Sequence, residues 1–190
     1  MRGAALRRLI QVSRAIDALT GAVGRAVSWL VLGVCVVAAG TALVSGVFGA
    51  GAYANALVEV QWLLFSAVFL LAAPWTLREN EHIRIDILNH RLSKRTRDWI
   101  DVIGHTLFLL PVAALVVWTA VPFAALSFAQ HEGSSNAGGL AQWPLKMLIP
   151  VAFALLFAQG VSELIKRVAI LRGELADPAE GLAGEMPHEF

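Results

Sequence analysis

One cysteine, Cys35, is all the thiol chemistry in this chain, and it lies inside an apolar run. Without a second, the chain cannot form an intramolecular disulfide, a Cys-x-x-Cys redox pair or a thiolate metal cage by itself. Charge is scarce too: Asp, Glu, Lys and Arg are 15% of 190 residues. Fifteen Lys+Arg against fourteen Asp+Glu leave a formal charge of +1, which removes the global basic field that a nucleic-acid partner would call for. No nucleophile elbow, phosphate loop or His-Glu-x-x-His pattern occurs. Nor do the five histidines suit a haem, which needs axial pairs at matching depth between helices. His82 and His90 fall in one loop, His131 in another, and His188 in the tail, so only His105 enters an apolar span. No enzyme activity, cofactor or metal is expected.

What the chain does have is apolar length. The residues AVILMFWYC make up 57% and the mean hydropathy is +0.67, so a lipid bilayer is the expected solvent. A bilayer core about 30 Å thick takes roughly 20 apolar residues in helix, because backbone polar groups must pair internally where water is absent. Four segments answer to that length, about 26–48, 57–77, 103–126 and 143–165, giving an all-α integral membrane domain over residues 1–172. The first is too long for the core of a signal peptide and reads as a retained span. The fourth needs the stem of Lys146 to snorkel and Glu163 to sit at a boundary. Pro74, Pro111, Pro122 and Pro150 fall within or near the spans, where neighbouring helices compensate a lost backbone bond. The tail, 173–190, carries Pro178, Pro187, Gly181 and Gly184 among acids and reads as disordered.

The distribution of Lys and Arg gives the orientation. Arg2, Arg7, Arg8, Arg14 and Arg25 precede the first span; Arg78, Arg84, Arg91, Lys94, Arg95 and Arg97 lie in the loop between spans two and three; Lys166, Arg167 and Arg172 follow the fourth. Only Lys146 opposes them, so both termini and the central loop are expected in the cytoplasm. Before the first span, Leu6, Leu9, Ile10 and Ile16 share one helical face while Arg7, Gln11 and Arg14 lie opposite, which suits an interfacial amphipathic helix; a frayed basic tail is the alternative.

A subunit that moves its own substrate places ionisable groups near mid-membrane, and this chain has none there. Glu59, beside Gln61 and Trp62, lies close to the outer end of the second span, either as a boundary carboxylate or as a contact for a partner. The loop after that span, with His82, Arg84 and Asp86 among Ile83, Ile85 and Ile87, reads as a docking surface; the alternative is local ion pairing of modest worth. The loop from Ser127 through Glu132 and Gly138-Gly139-Leu140 leads to Trp143-Pro144-Leu145-Lys146, where glycines permit tight re-entry, Trp suits headgroup depth and Pro suits a first helical turn.

In these residues the chain resembles the DctQ-like small permease subunits of tripartite ATP-independent periplasmic (TRAP) transporters. The motifs are Glu59 in Val58-Glu59-Val60-Gln61-Trp62, then Glu81-His82-Ile83-Arg84-Ile85-Asp86, then Ser127 to Glu132, Gly138-Gly139-Leu140, Trp143-Pro144-x-Lys146, Ile149-Pro150 and Gln159-Gly160-x-x-Glu163. The later run is similar to the branch labelled mannitol/chloroaromatic type, with Phe128 where a Trp is more usual. The resemblance implies a bacterial inner-membrane complex with a large multi-helix permease subunit and a soluble periplasmic binding protein. It also implies import driven by an ion gradient, commonly sodium, of an organic acid or related solute, with the substrate and ion sites on the large subunit. A membrane assembly or anchoring protein without a transport role is the competing reading of the same four spans.

Overall fold

The computed structural model describes residues 2–49, 52–79 and 93–175, and these are helical apart from two turns and one loop. The order is α1 (Arg2–Phe48), α2 (Ala52–Arg78), α3 (Lys94–Gly104), a π-helical turn (His105–Leu109), α4 (Leu110–Ala129) and α5 (Trp143–Leu171). The π turn joins α3 and α4 into one continuous run. Four helices are therefore long and apolar enough to cross a membrane: α1, α2, the α3–α4 run and α5. Among the described residues there is no strand, only an isolated antiparallel bridge between Gly133 and Ala141.

α5 is the centre of the bundle, packing against α1, α2 and α4, while α1 and α2 also pack on each other. The interior is built from small side chains. Ala54, Ala67, Ala113, Ala120, Ala124, Ala152 and Ala169 are buried, whereas Trp118 is 80% exposed, Trp29 72% and Phe69 70%. This inversion follows from the solvent: lipid tails give helices no hydrophobic reason to associate, so close approach through small residues does it, and the large apolar side chains turn outward. At Gly24 α2 comes close, since a Cβ there would stand 2.7 Å from Cβ of Trp75. Gly160 of α5 likewise receives Leu109 and Leu110, whose methyls would lie 2.9 and 3.1 Å from an added Cβ.

The π turn has a local cause. Pro111 lacks an N–H and its ring would crowd the carbonyl four residues back, at Leu107. Widening the turn lets the N–H of Leu110 reach five residues back to His105 O, and swings Leu109 and Leu110 onto Gly160. Pro74, Pro122 and Pro150 lie inside helices without breaking them.

No break separates the expected interfacial segment from the first span; both belong to α1. At about 1.5 Å per residue, its 47 residues extend about 70 Å, far beyond a bilayer core. Gly21 and Gly24, the natural points for a bend, are instead used for close contact with Arg78 and Trp75 of α2. The docking loop expected around His82, Arg84 and Asp86 lies outside the described residues, as does the tail from 176 onward.

Candidate functional site: two polar layers

Polar side chains gather at the two ends of the bundle. One end carries the start of α1, the end of α2 and the end of α5, and is here called the terminal end. The other carries the loop between α4 and α5 and is called the loop end.

At the terminal end the cluster is built by helical spacing. Ser13, Asp17 and Thr20 lie on one face of α1, and Gln159, Ser162, Glu163 and Lys166 on one face of α5. Gln159 is fully buried and uses both amide hydrogens and its oxygen: the nitrogen donates to Asp17 Oδ1 and Glu163 Oε1, both at 2.9 Å, while the oxygen accepts from Thr20 Oγ1 at 2.7 Å. Ser162 donates to Asp17 Oδ1 at 2.8 Å and meets Ser13 Oγ at 2.7 Å. Lys166 bridges Asp17 (3.2 Å) and Glu163. Arg78 of α2 donates Nη1 to the Asp17 carbonyl at 3.2 Å, and Arg167 pairs with Asp101 of α3 at 3.3 Å. His105 hydrogen-bonds the Asp101 carbonyl through Nδ1 at 2.6 Å, while its Nε2 is buried with no partner among the described residues.

At the loop end, Glu59 is 7% exposed and committed to the loop. Its Oε1 accepts from the Ser134 hydroxyl and from Asn136 Nδ2 at 2.9 Å, and its Oε2 from the Leu140 N–H at 2.6 Å. Asn55, one turn earlier, donates to the Ala137 carbonyl at 3.1 Å. Glycine is needed at Gly139, where a Cβ would stand 2.8 Å from Glu59 Oε1 and 2.6 Å from Ser134 Oγ. Glu132 pairs with Lys146, whose ammonium also lies 4.4 Å from the centroid of Phe123. That ammonium holds the Glu132 carboxyl below its ordinary range. Trp143 and Pro144 form the first turn of α5, with the Trp ring edge-on to Phe128 at 5.0 Å. Gln61 donates to Thr41 of α1 at 2.7 Å, whereas Trp62 faces outward.

The sequence-derived candidates Glu59, Glu132, Trp143, Pro144 and Lys146 thus meet at the loop end, Gln61 just inside it, and Glu163 at the terminal end. Sequence reasoning missed Asp17, Ser13, Ser162, Lys166 and Asn136. A signal existed for the first four: polar residues at intervals of three, four and seven on two helices that both start or end at the same face of the bundle.

Between the layers no Asp, Glu, Lys or Arg occurs from Val60 to Leu77 on α2, or from Met147 to Ser162 on α5. Helical rise puts Glu59 about 28 Å from Arg78 and Lys146 about 26 Å from Glu163, close to the thickness of a bilayer core. A groove there, lined by Ala114, Val117, Trp118, Ala154 and Phe157, is apolar. Among the described residues no group of three His, Cys, Asp or Glu side chains could hold a metal ion.

The family model described as "Tripartite ATP-independent periplasmic transporters, DctQ component" matches residues 52–169, more than half of the chain. That match runs from the first turn of α2 nearly to the end of α5 and so includes both polar layers apart from α1's share. No curated protein and no solved structure matches the chain.

Proposed function

We propose, because this chain belongs to the DctQ family and is the small subunit of a TRAP transporter, that it serves as a passive membrane wall beside a large permease subunit. That larger protein moves an organic acid or related solute, delivered by a periplasmic binding protein, into the cell on an ion gradient, with sodium as the coupling ion. The subunit lies in the bacterial inner membrane with both termini in the cytoplasm, and it falls in the mannitol/chloroaromatic branch. The first part of α1 then runs into the cytoplasmic headgroup region.

The observation that carries this reading is the slab between the polar layers. A group that binds solute or ion in mid-membrane must present charge or freed backbone there, and this bundle offers apolar side chains and paired helices instead. Its carboxylates at Glu59, Asp17 and Glu163 are each occupied by donors of its own chain. On α1, Gly33 and Gly40 have nothing within 4 Å of an added Cβ, which leaves room for a partner helix to approach.

The test is uptake into vesicles carrying the large subunit and the binding protein, with and without this chain. Uptake is expected only when all three are present and a sodium gradient is imposed. Accumulation by vesicles holding this chain alone would refute the passive role. Uptake undiminished by its omission would favour an anchoring protein. Charge reversal at Arg84 or Asp86 is expected to lower co-purification with the large subunit at least severalfold; unchanged recovery removes the loop from the interface.

A further inference from the structure

Two arginines converge at the terminal end without enough negative charge to account for them. Arg25 lies one turn beyond Gly21 on α1, and side chains on a helix lean toward its N-terminus, so the guanidinium of Arg25 runs back along Gly21. Arg78, the last residue of α2, reaches the same place from the neighbouring helix. A guanidinium nitrogen of each lies within 4 Å of the point where a Cβ on Gly21 would stand. Like charges held this close repel unless an anion or water stands between them.

The carboxylates nearby are engaged elsewhere. Asp17 turns its carboxylate to Gln159, Ser162 and Lys166 of α5 and gives Arg78 only its backbone carbonyl. Glu163 is taken by Lys166 and Gln159. Glu79 stands 3.8 Å from Arg78 Nε and accepts from Trp75 Nε1 at 3.1 Å, so it offsets one guanidinium in part. Arg25 has no carboxylate partner among the described residues.

The surroundings say what kind of anion fits. Arg78 marks the border of the uncharged stretch of α2, at headgroup depth. Continuing from Arg25 toward mid-membrane, Trp29, Leu32 and Val36 follow at helical spacing on the same side of α1, and all three are exposed. A charged head with an apolar track beside it matches an amphiphile, and two guanidinium forks match phosphate oxygens. We propose that Arg25 and Arg78 form a binding site for the phosphate of an anionic lipid, whose acyl chain lies along Trp29, Leu32 and Val36. Assigning that lipid to the cytoplasmic leaflet rests on the orientation proposed above; the site itself does not.

The experiment is native mass spectrometry of the full-length chain in mild detergent, titrated with phosphatidylglycerol, phosphatidylcholine, diacylglycerol or inorganic phosphate. The wild type is expected to prefer phosphatidylglycerol. Arg25→Gln and Arg78→Gln should each weaken that binding about tenfold or more, the range for losing one charge-assisted bond. Arg25→Lys, which keeps charge without the fork, should fall between, and the exposed Arg172→Gln should bind as wild type. Gly21→Ala alters no charge yet is expected to weaken binding by spreading the two guanidiniums, and it keeps the test decisive if an arginine variant fails to fold. Equal affinity for phosphatidylcholine, or wild-type binding by both Gln variants, overturns the site. Displacement of phosphatidylglycerol by millimolar inorganic phosphate overturns the lipid assignment in favour of a free anion. Reaction of a cysteine placed near Arg14 with an impermeant reagent in oriented vesicles reports the leaflet separately, so a wrong orientation is distinguishable from a missing site.

Discussion

At the loop end one carboxylate holds a loop, whereas at the terminal end seven side chains hold two helices that are almost the whole chain apart in sequence. Glu59 gathers Ser134, Asn136 and Leu140, all in the segment that leads into α5. Ser13, Asp17 and Thr20 meet Gln159, Ser162, Glu163 and Lys166 across a separation of about 140 residues. The first arrangement shapes a surface; the second closes the bundle by fastening its first helix to its last. Both keep their polar groups at depths where water or lipid headgroups are near, which leaves the middle to shape complementarity of small residues.

The comparison breaks most sharply at Gln159. Replacing it with Leu leaves Thr20 Oγ1 without an acceptor other than its own helix backbone, and takes a donor from both Asp17 and Glu163. Each hydrogen bond so lost is worth about 0.5–3 kcal/mol, the larger values applying to the two charged acceptors, so Gln159→Leu should lower the thermal midpoint in detergent more than any change at the loop end. An unchanged midpoint would mean that the first helix is held by apolar packing alone. Glu59→Ala should do the opposite: amide exchange in residues 132–142 rises by tenfold or more while the midpoint of the bundle hardly moves. Gly139→Val should mimic it, since its side chain would enter the space of Ser134 and Glu59. Loss of helix α2 protection in either variant would show that Glu59 supports the bundle itself.

The helices were legible because a bilayer demands length and hydropathy, and both are written in the order of residues. Glu59, Glu132 and Lys146 could be singled out because charge at the border of an apolar run is conspicuous. What each would touch could not: the acceptor geometry at Glu59 depends on a loop more than seventy residues later folding back through Gly138 and Gly139. Asp17 was passed over because the segment around it looked like a surface helix, and its basic residues drew attention from the polar face of Ser13, Asp17 and Thr20. The π turn was equally hidden, since Pro111 announces only that an ordinary hydrogen bond is missing, not how the ladder is repaired.

The smallest effect expected is at Glu132 and Lys146, a partly exposed pair that ties the loop to the first turns of α5. Because Lys146 holds the Glu132 carboxyl below the ordinary value of 4.5, the pair's contribution is fully present above that pH and is lost as the pH falls through the lowered value in the folded protein. A carboxyl-carbon NMR titration should therefore find the Glu132 midpoint below 4.5, and Lys146→Met should bring it back toward 4.5. Any difference in thermal midpoint between wild type and Lys146→Met should narrow as Glu132 is protonated, leaving the part due to the ammonium above Phe123. If the Glu132 midpoint is the same in both proteins, the pair does not persist in solution. The loop is then held from α2, by Glu59 and Asn55, and the contrast between the two ends becomes sharper still.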